Sequence, residues 1–411
     1  MRLKSNGYRF LVYFGIIAII LFLAVNAVGC SGQSARNGVG GLLKNTGQQN
    51  SGSDQARNET SRAEGGSNVN TWPMFRQSPA HDGASEFTLM PPLNKKWSFK
   101  AKASIRSAPA VKDGVLYSGS YDGKLYAIDA KTGTQKWAFQ TRGSIESSPL
   151  AIDNTVYVGS GDYSFYAIDS TTGKLKWSYV TGGNVYSSPV FANNTVYVGS
   201  EDGKVFAFDP GTGAIKWTYQ TKAHIRSSPA VSNGKLFIGS EDGSVYALDA
   251  NTGKRKWAYT SKFGFESSPA VANGMVYIGS EDKNVYAFDE NTGKIRWAFG
   301  TKMRIESSVS VFKGVVYAAS WSGVVFAIDA VSGKLAWSYN SGTSMLRETS
   351  PVVTGDMVYV GTWDGTINAI DAKTGKPKWA YPAKSVVYAM SAAEGALYVD
   401  LEDYSVNAFT R

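Results

Sequence analysis

The chain has 411 residues and a formal net charge of +9, from 42 basic and 33 acidic residues. Residues 1–30 hold +3 of this and residues 31–71 hold +1, which leaves +5 on the remaining 340, too small an excess for a dedicated nucleic-acid binder. A charged fraction of only 18%, with many glycines and aromatics, excludes a highly charged disordered chain and favours an all-β fold rich in turns.

The first predicted element is an export segment, residues 1–30. "MRLKSNGYR" is a charged stretch, followed by a run from Phe10 to Val28 in which only Asn26 is polar. The run is longer than the usual secretory core and nearly long enough to span a bilayer, so a cleaved signal and an uncleaved anchor both fit. "AVGCSG" at 27–32 resembles a bacterial lipobox, which implies cleavage before Cys30 and lipid on its sulfur. In the anchor reading Cys30, the only cysteine, is incidental. Either way the rest of the chain lies outside the cytoplasmic membrane: in the periplasm or at the outer membrane of a Gram-negative host, otherwise at the cell surface.

Residues 31–71 are rich in Ser, Gly, Asn and Gln with almost nothing apolar to bury. Such a segment cannot offset its ordering entropy, and a flexible tether of about 35 Å r.m.s. reach is expected. Residues 72–411 form the folded domain. Within it tryptophans fall at 97, 137, 177, 217, 257, 297, 337 and 379, spaced by 40 residues except for a last interval of 42. A period in this range marks a repeat architecture, and each unit alternates as strands do. In the unit beginning at Ile145, "IESSPLAI", "TVYVGS", "FYAID" and "KLKWSY" read as four strands. The "DG" pairs at Asp122, Asp202, Asp242 and Asp364 close hairpins, and each "DxxTG" is a turn in which the Asp carboxylate accepts backbone N–H groups and the Gly is left-handed.

Four antiparallel strands per unit make one propeller blade. Seven copies of the AxD motif, at Asp129, Asp169, Asp209, Asp249, Asp289, Asp329 and Asp371, are followed by three strands of an eighth unit with no outer strand. The unpaired "KWSF" around Trp97 supplies it. The expected fold is therefore an all-β, eight-bladed β-propeller of four-stranded antiparallel blades, closed by an N-terminal strand in the last blade, which removes an exposed edge. The eight periodic tryptophans are expected to be structural, each a large apolar surface whose indole N–H needs a partner at a blade seam.

"AFDPGTGAIKW", "AIDAKTGTQKW", "ALDANTGKRKW" and their companions fit AxDxxTGxxxW, and the chain resembles the PQQ-like quinoprotein propellers with their tryptophan-docking motif. "WPMFRQSPAHDG" at 72–83 resembles the lead-in of such domains. The resemblance is closest to the BamB-type outer-membrane assembly lipoproteins, which implies a lipid-anchored, non-enzymatic, monomeric platform whose partners are other envelope proteins. The quinoprotein dehydrogenases are the alternative, implying PQQ and calcium beneath a vicinal disulfide for which this chain has no cysteine pair.

Positions the fold requires repeat from copy to copy, and positions free for function vary. In the inner strand the slot within "IxSSP" reads Arg106, Glu146, Tyr186, Arg226, Glu266, Glu306, Glu348 and Tyr388. The slot before the hairpin Asp reads Tyr121, Gly161, Glu201, Glu241, Glu281, Trp321, Trp363 and Glu402. Strand order places both slots on one face, at the mouth of the central channel. Trp321 and Trp363, in adjacent blades, with Met345, Arg347, Glu348 and Tyr388 nearby, have the composition of an interface anchor; the competing reading is that the two indoles cap their own blades. A channel-mouth calcium is disfavoured by the interrupting Arg106 and Arg226, and only His81 and His224 are available to a transition metal. No cofactor is expected. The basic residues before the docking tryptophans, Lys96, Lys136, Lys176, Lys216, Lys256, Arg296 and Lys378, are read as outward-facing guards of the edge strand.

Overall fold

The computed structural model describes residues 71–343 and 349–411, and every regular element among them is a strand. Cys30 and the segments read as export signal and tether, up to residue 70, fall outside the described residues, as do Met345, Arg347 and Glu348. Blade one runs Ala110–Lys112, Val115–Gly119, Lys124–Asp129 and Gln135–Gln140, each strand hydrogen-bonded to the next in sequence. The same order repeats outward from the axis through blade seven, which ends with Pro377–Pro382. Blade eight is Val387–Ala393, Ala396–Leu401 and Ser405–Thr410, completed by Asn94–Lys100, with Ser98 opposite Asn407 in antiparallel register. The eight-bladed ring is thus closed by joining the two ends of the domain.

Local chemistry explains the strand ends. Asp129 Oδ1 accepts the N–H of Lys131 at 3.1 Å, the N–H of Thr132 at 2.9 Å and the Thr132 hydroxyl at 2.9 Å, while Gly133 turns the chain at a φ of 76°. In the hairpin between second and third strands, Asp122 Oδ1 accepts from Lys124 N–H at 2.9 Å and Oδ2 from Lys102 N–H at 3.0 Å, so the turn also pins the connection that enters its blade. The inner strand is shorter than "IESSPLAI" suggests: only Leu150–Ile152 pairs regularly. Pro149 lacks an N–H, and the serines before it are used otherwise. Ser147 Oγ accepts from Gly159 N–H within the blade, and Ser148 Oγ accepts from Ala108 N–H of the blade before.

The seams are aromatic. Trp97 Nε1 donates to the carbonyl of Ala130 at 3.0 Å, which docks blade eight on blade one, and Trp137, Trp177, Trp217, Trp257, Trp297 and Trp337 each donate in the same way to the next blade at 2.9 to 3.0 Å. Trp379 differs: its ring stacks on Tyr381, 5.8 Å between centroids, and it forms no such indole bond among the described residues.

The lead-in, residues 72–85, runs across the inside of the ring as a strap. Trp72 and Val111 exchange backbone hydrogen bonds, and the N–H groups of Ala151, Val231, Val271, Val311 and Val353 donate to Pro73, Pro79, Ala80, Asp82 and Gly83. Ala84–Ser85 adds a short parallel strand to blade seven. The strap therefore satisfies inner-strand N–H groups that would otherwise line the axis unpaired. The strap's own Arg76 is buried, with Nη1 and Nη2 donating to the carbonyls of Pro351 and Val309 at 2.8 Å each and Nη2 also to the Ser310 hydroxyl.

Candidate functional site

The two variable slots meet on one face because backbone bonds join them. Tyr121, Gly161, Glu201, Glu241 and Trp321 donate their N–H groups to Ser104, Ser144, Asn184, His224 and Arg304, in the connections that lead into the inner strands. Arg106, Glu146, Tyr186, Arg226, Glu266, Glu306 and Tyr388 converge around an axial cup of about 220 Å³. Its wall carries the second serine of each "SSP", and its floor is Trp72, Phe75 and Arg76 of the strap.

Charges around the mouth are mutually arranged. The Arg106 guanidinium lies over the rings of Tyr121 and Tyr388, 4.8 and 4.5 Å from their centroids. Arg226 Nε is 2.8 Å from Glu201 and 3.3 Å from Glu241. Partial burial raises the Glu241 carboxyl against the pull of Arg226, and it raises Glu281, where the neighbouring Glu266 adds to the effect. Glu266, Glu281 and Glu306 each bring one carboxylate oxygen to within 4.8 Å of the others. These oxygens are of the kind calcium takes, but Arg304 Nε sits 3.1 Å from Glu306 and already neutralises part of the set.

The indoles singled out from the repeat comparison are not freely exposed. Trp321 and Trp363 are both half-buried, and the Arg304 guanidinium stacks on Trp321 3.3 Å from its ring centre. Exposed apolar side chains of this face include Phe263 (53% exposed) and Met303 (42% exposed), beside the exposed Lys262 and Lys302 in equivalent connections of consecutive blades, and Tyr163 and Tyr404 in the hairpins of blades two and eight. The sequence did contain the signal. The same position in other copies reads Ala103, Gly143, Gly183 and Ala223, so two large apolar residues there depart from the repeat.

On the opposite face the basic residues before the docking tryptophans are not simple edge guards. Lys136, Lys256, Arg296 and Lys378 lie 3.3, 3.0, 2.6 and 3.4 Å from the motif aspartates Asp129, Asp249, Asp289 and Asp371 of their own blades. A bulge in the outer strand causes this: Trp137 sits opposite Ala127 and Gln135 opposite Ile128, which leaves Lys136 as the extra residue. Arg296 holds the Asp289 carboxyl well below the usual carboxylate range.

The docked tryptophans, the turns and the strap define a PQQ-like eight-bladed propeller. The family model described as outer membrane protein assembly factor BamB matches residues 94–228, 220–302 and 281–409, and the chain belongs to that family. Among solved structures, BamB from Moraxella catarrhalis is 20% identical, with a TM-score of 0.68 over 78% of this chain and 100% of that one. A quinohemoprotein alcohol dehydrogenase from Pseudomonas putida HK5 is 19% identical, with a TM-score of 0.72 over 83% and 80%. A computationally designed protein, Ika8, is 19% identical, with a TM-score of 0.70 over 77% and 100%. At these identities the likeness shows the fold alone. No curated protein matches the chain.

Proposed function

We propose that this protein is a non-enzymatic docking platform of the cell envelope, a monomeric propeller held at the membrane through lipid on Cys30 or through the uncleaved apolar segment. Its partner is another envelope protein, and in a host with an outer membrane the family name points to assembly of proteins in that membrane. The observation that carries the reading is the asymmetry of the two faces. One repeats the same turns with paired charges, its exposed Leu175, Ile215, Ile295 and Leu335 recurring at a single repeat position and Val331 in one turn, and the other gathers mixed charges around a cup, with Phe263 and Met303 exposed beside it where other copies carry alanine or glycine. Exposed large apolar groups rimmed by charge are what a protein interface core requires. The test is a photoreactive residue placed at 263 or 303, irradiated in native membranes, with Lys131 on the opposite face as control. Adducts from 263 and 303 only support the reading, and adducts from 131 alone overturn it.

A second reading, a small-ligand or PQQ-dependent propeller, draws support from the axial cup and from the fold shared with quinoprotein dehydrogenases. Adding PQQ with Ca²⁺ to the purified protein and assaying dye-linked alcohol oxidation separates the two.

A further inference from the structure

The serine ring at the wall of the cup has an unusual balance of donors and acceptors. The backbone N–H groups of Ala108, Ser148, Ser188, Ser228 and Ser268 donate at 2.8 to 3.2 Å to the Oγ atoms of Ser148, Ser188, Ser228, Ser268 and Ser308, one blade further on. A hydroxyl that accepts a bond still has a proton to give. None of these five hydroxyls donates to an acceptor among the described residues, although each is only 3 to 5% exposed and all five line the cup. Buried hydroxyl protons without an acceptor cost stability unless something else receives them. Below the ring lies Arg76, 3% exposed, whose Nε has no partner, whose Nη1 and Nη2 donate to the carbonyls of Pro351 and Val309 and to the Ser310 hydroxyl, and whose charge the nearby Asp82 offsets only in part. The lower half of the cup therefore presents donors and positive charge, the chemistry that receives an oxyanion.

The upper half is different. Arg106 and Arg226 line it together with Glu146, Glu266 and Glu306, so the charged residues lining the whole cup number three of each sign, while Arg226 and Glu306 also pair with Glu201 and Arg304 around the mouth. A cup for a simple anion would not place carboxylates at its mouth. At about 220 Å³ it is also below the roughly 300 to 1,000 Å³ of pockets for drug-sized ligands.

We propose that the axial cup binds a small zwitterion of amino-acid or dipeptide size, its carboxylate received by the serine hydroxyls above Arg76 and its ammonium chiefly by Glu266, with Glu306 beside it already paired to Arg304. Phe75 and Trp72 at the floor give an apolar surface for a short side chain. Such a site is independent of the docking face tested by Phe263 and Met303, because the ligand lies along the axis and not on the rim.

Isothermal titration of the full chain with L-alanine and L-alanyl-L-alanine tests this directly, alongside L-alaninamide, which lacks the carboxylate, and N-acetyl-L-alanine, which lacks the ammonium. The expected result is saturable one-to-one binding of at least one zwitterion, weakened about tenfold or more by either blocking group, as loss of a hydrogen bond to a charged group requires. Ser228→Ala removes one donor and is expected to weaken binding by a similar factor; its thermal melt is recorded in parallel, and if that melt falls the analogue series on the unaltered chain decides. No saturable binding of either zwitterion overturns the proposal, as does equal affinity for the blocked compounds or unchanged affinity in a well-folded Ser228→Ala protein.

Discussion

The indole of Trp217 lies so close to Gly253 of the following blade that a β-carbon on that glycine would stand 2.6 Å from the ring's Cε3. The same turn presents the carbonyl of Ala250 to the indole Nε1 at 2.9 Å, and Gly253 holds a φ of 70°. One glycine thus serves two needs, a left-handed turn and room for the ring. Gly253→Ala is expected to cost about 2 to 4 kcal/mol, the sum of overpacking and of a side chain forced left-handed. Trp217→Ala is expected to cost about 3 to 5 kcal/mol, and Trp217→Phe nearer 1 to 2, because packing is largely kept and the hydrogen bond is lost. Urea unfolding measures all three. In the Trp217→Ala background Gly253→Ala is expected to cost less than in the parent, since the clash has been removed.

Trp379 offers the internal control. It occupies the docking register but stacks on Tyr381, which in turn meets Phe409 edge-on at 4.9 Å. Without a turn to receive its N–H it gains only packing, so Trp379→Ala is expected to cost at least 1 kcal/mol less than Trp217→Ala in the same urea titration.

These relationships show what a single sequence can and cannot disclose. Blade number, strand order and the N-terminal closure at Trp97 were legible because a 40-residue period repeats the same turn chemistry seven times, and Asp129 and Gly133 behave as their residue types require. The pairing of Lys136 with Asp129 was not legible, because it depends on a one-residue bulge that the alternation of the strand conceals. Nor was the path of the strap, since "WPMFRQSPAHDG" has no period and takes its shape from the inner strands it meets. At the site, the convergence of Arg106, Glu146 and Glu266 followed from strand order, whereas the half-burial of Trp321 depends on Arg304, a residue in another connection.

The strap carries two titratable neighbours with opposite pH dependence, His81 buried and Asp82 half-buried. Burial, reinforced by the charge of Arg76, lowers His81 to about 3, and burial raises Asp82 to about 6. For His81 the unfolded chain takes up a proton near pH 6.5 that the folded chain refuses, so stability present above 6.5 is lost as pH falls toward 3. For Asp82 the unfolded chain releases its proton near pH 4 while the folded chain keeps it, so stability is lost as pH rises from about 4 to 6. Measured against the parent, Asp82→Asn should therefore gain stability between pH 4 and 6 and level off above. His81→Asn should gain as pH falls below 6.5. Denaturant midpoints at one-unit pH steps separate the two, each slope approaching about 1.4 kcal/mol per unit.

Asp400 marks the closure seam. It stands where other blades carry Gly119, Gly159 or Gly199, is wholly buried, and receives one bond, from Ser118 Oγ of blade one at 3.2 Å, while its Oδ1 has no partner. Burial raises its carboxyl well above the ordinary value. The folded chain therefore keeps this proton to a higher pH than the unfolded chain does, and stability declines as pH rises from about 4. Asp400→Asn, an amide of the same shape that cannot ionise, should match the parent near pH 4 and exceed it at pH 7 in thermal melting. Equal melting profiles at both pH values would show that the seam tolerates a carboxylate.

Phe263 and Trp321 make the last contrast, because both are aromatic residues of the variable face and the structure gives them opposite work. Trp321 is half-buried under the Arg304 guanidinium, which also reaches Glu306 at 3.1 Å, so Trp321→Ala breaks a stacked assembly and should lower stability by about 1 to 2 kcal/mol. Phe263 is 53% exposed at a position where other blades carry alanine or glycine, and Phe263→Ser should change stability by no more than about 0.5 kcal/mol. If the face docks a partner through its exposed apolar tips, Phe263→Ser combined with Met303→Ser should reduce partner recovered from membranes several-fold with the melt unchanged, and Trp321→Ala should reduce it no more than its loss of folded protein explains. Full recovery with the double variant, and loss with Trp321→Ala at an unaltered melt, would move the contact surface one blade along, to the indoles.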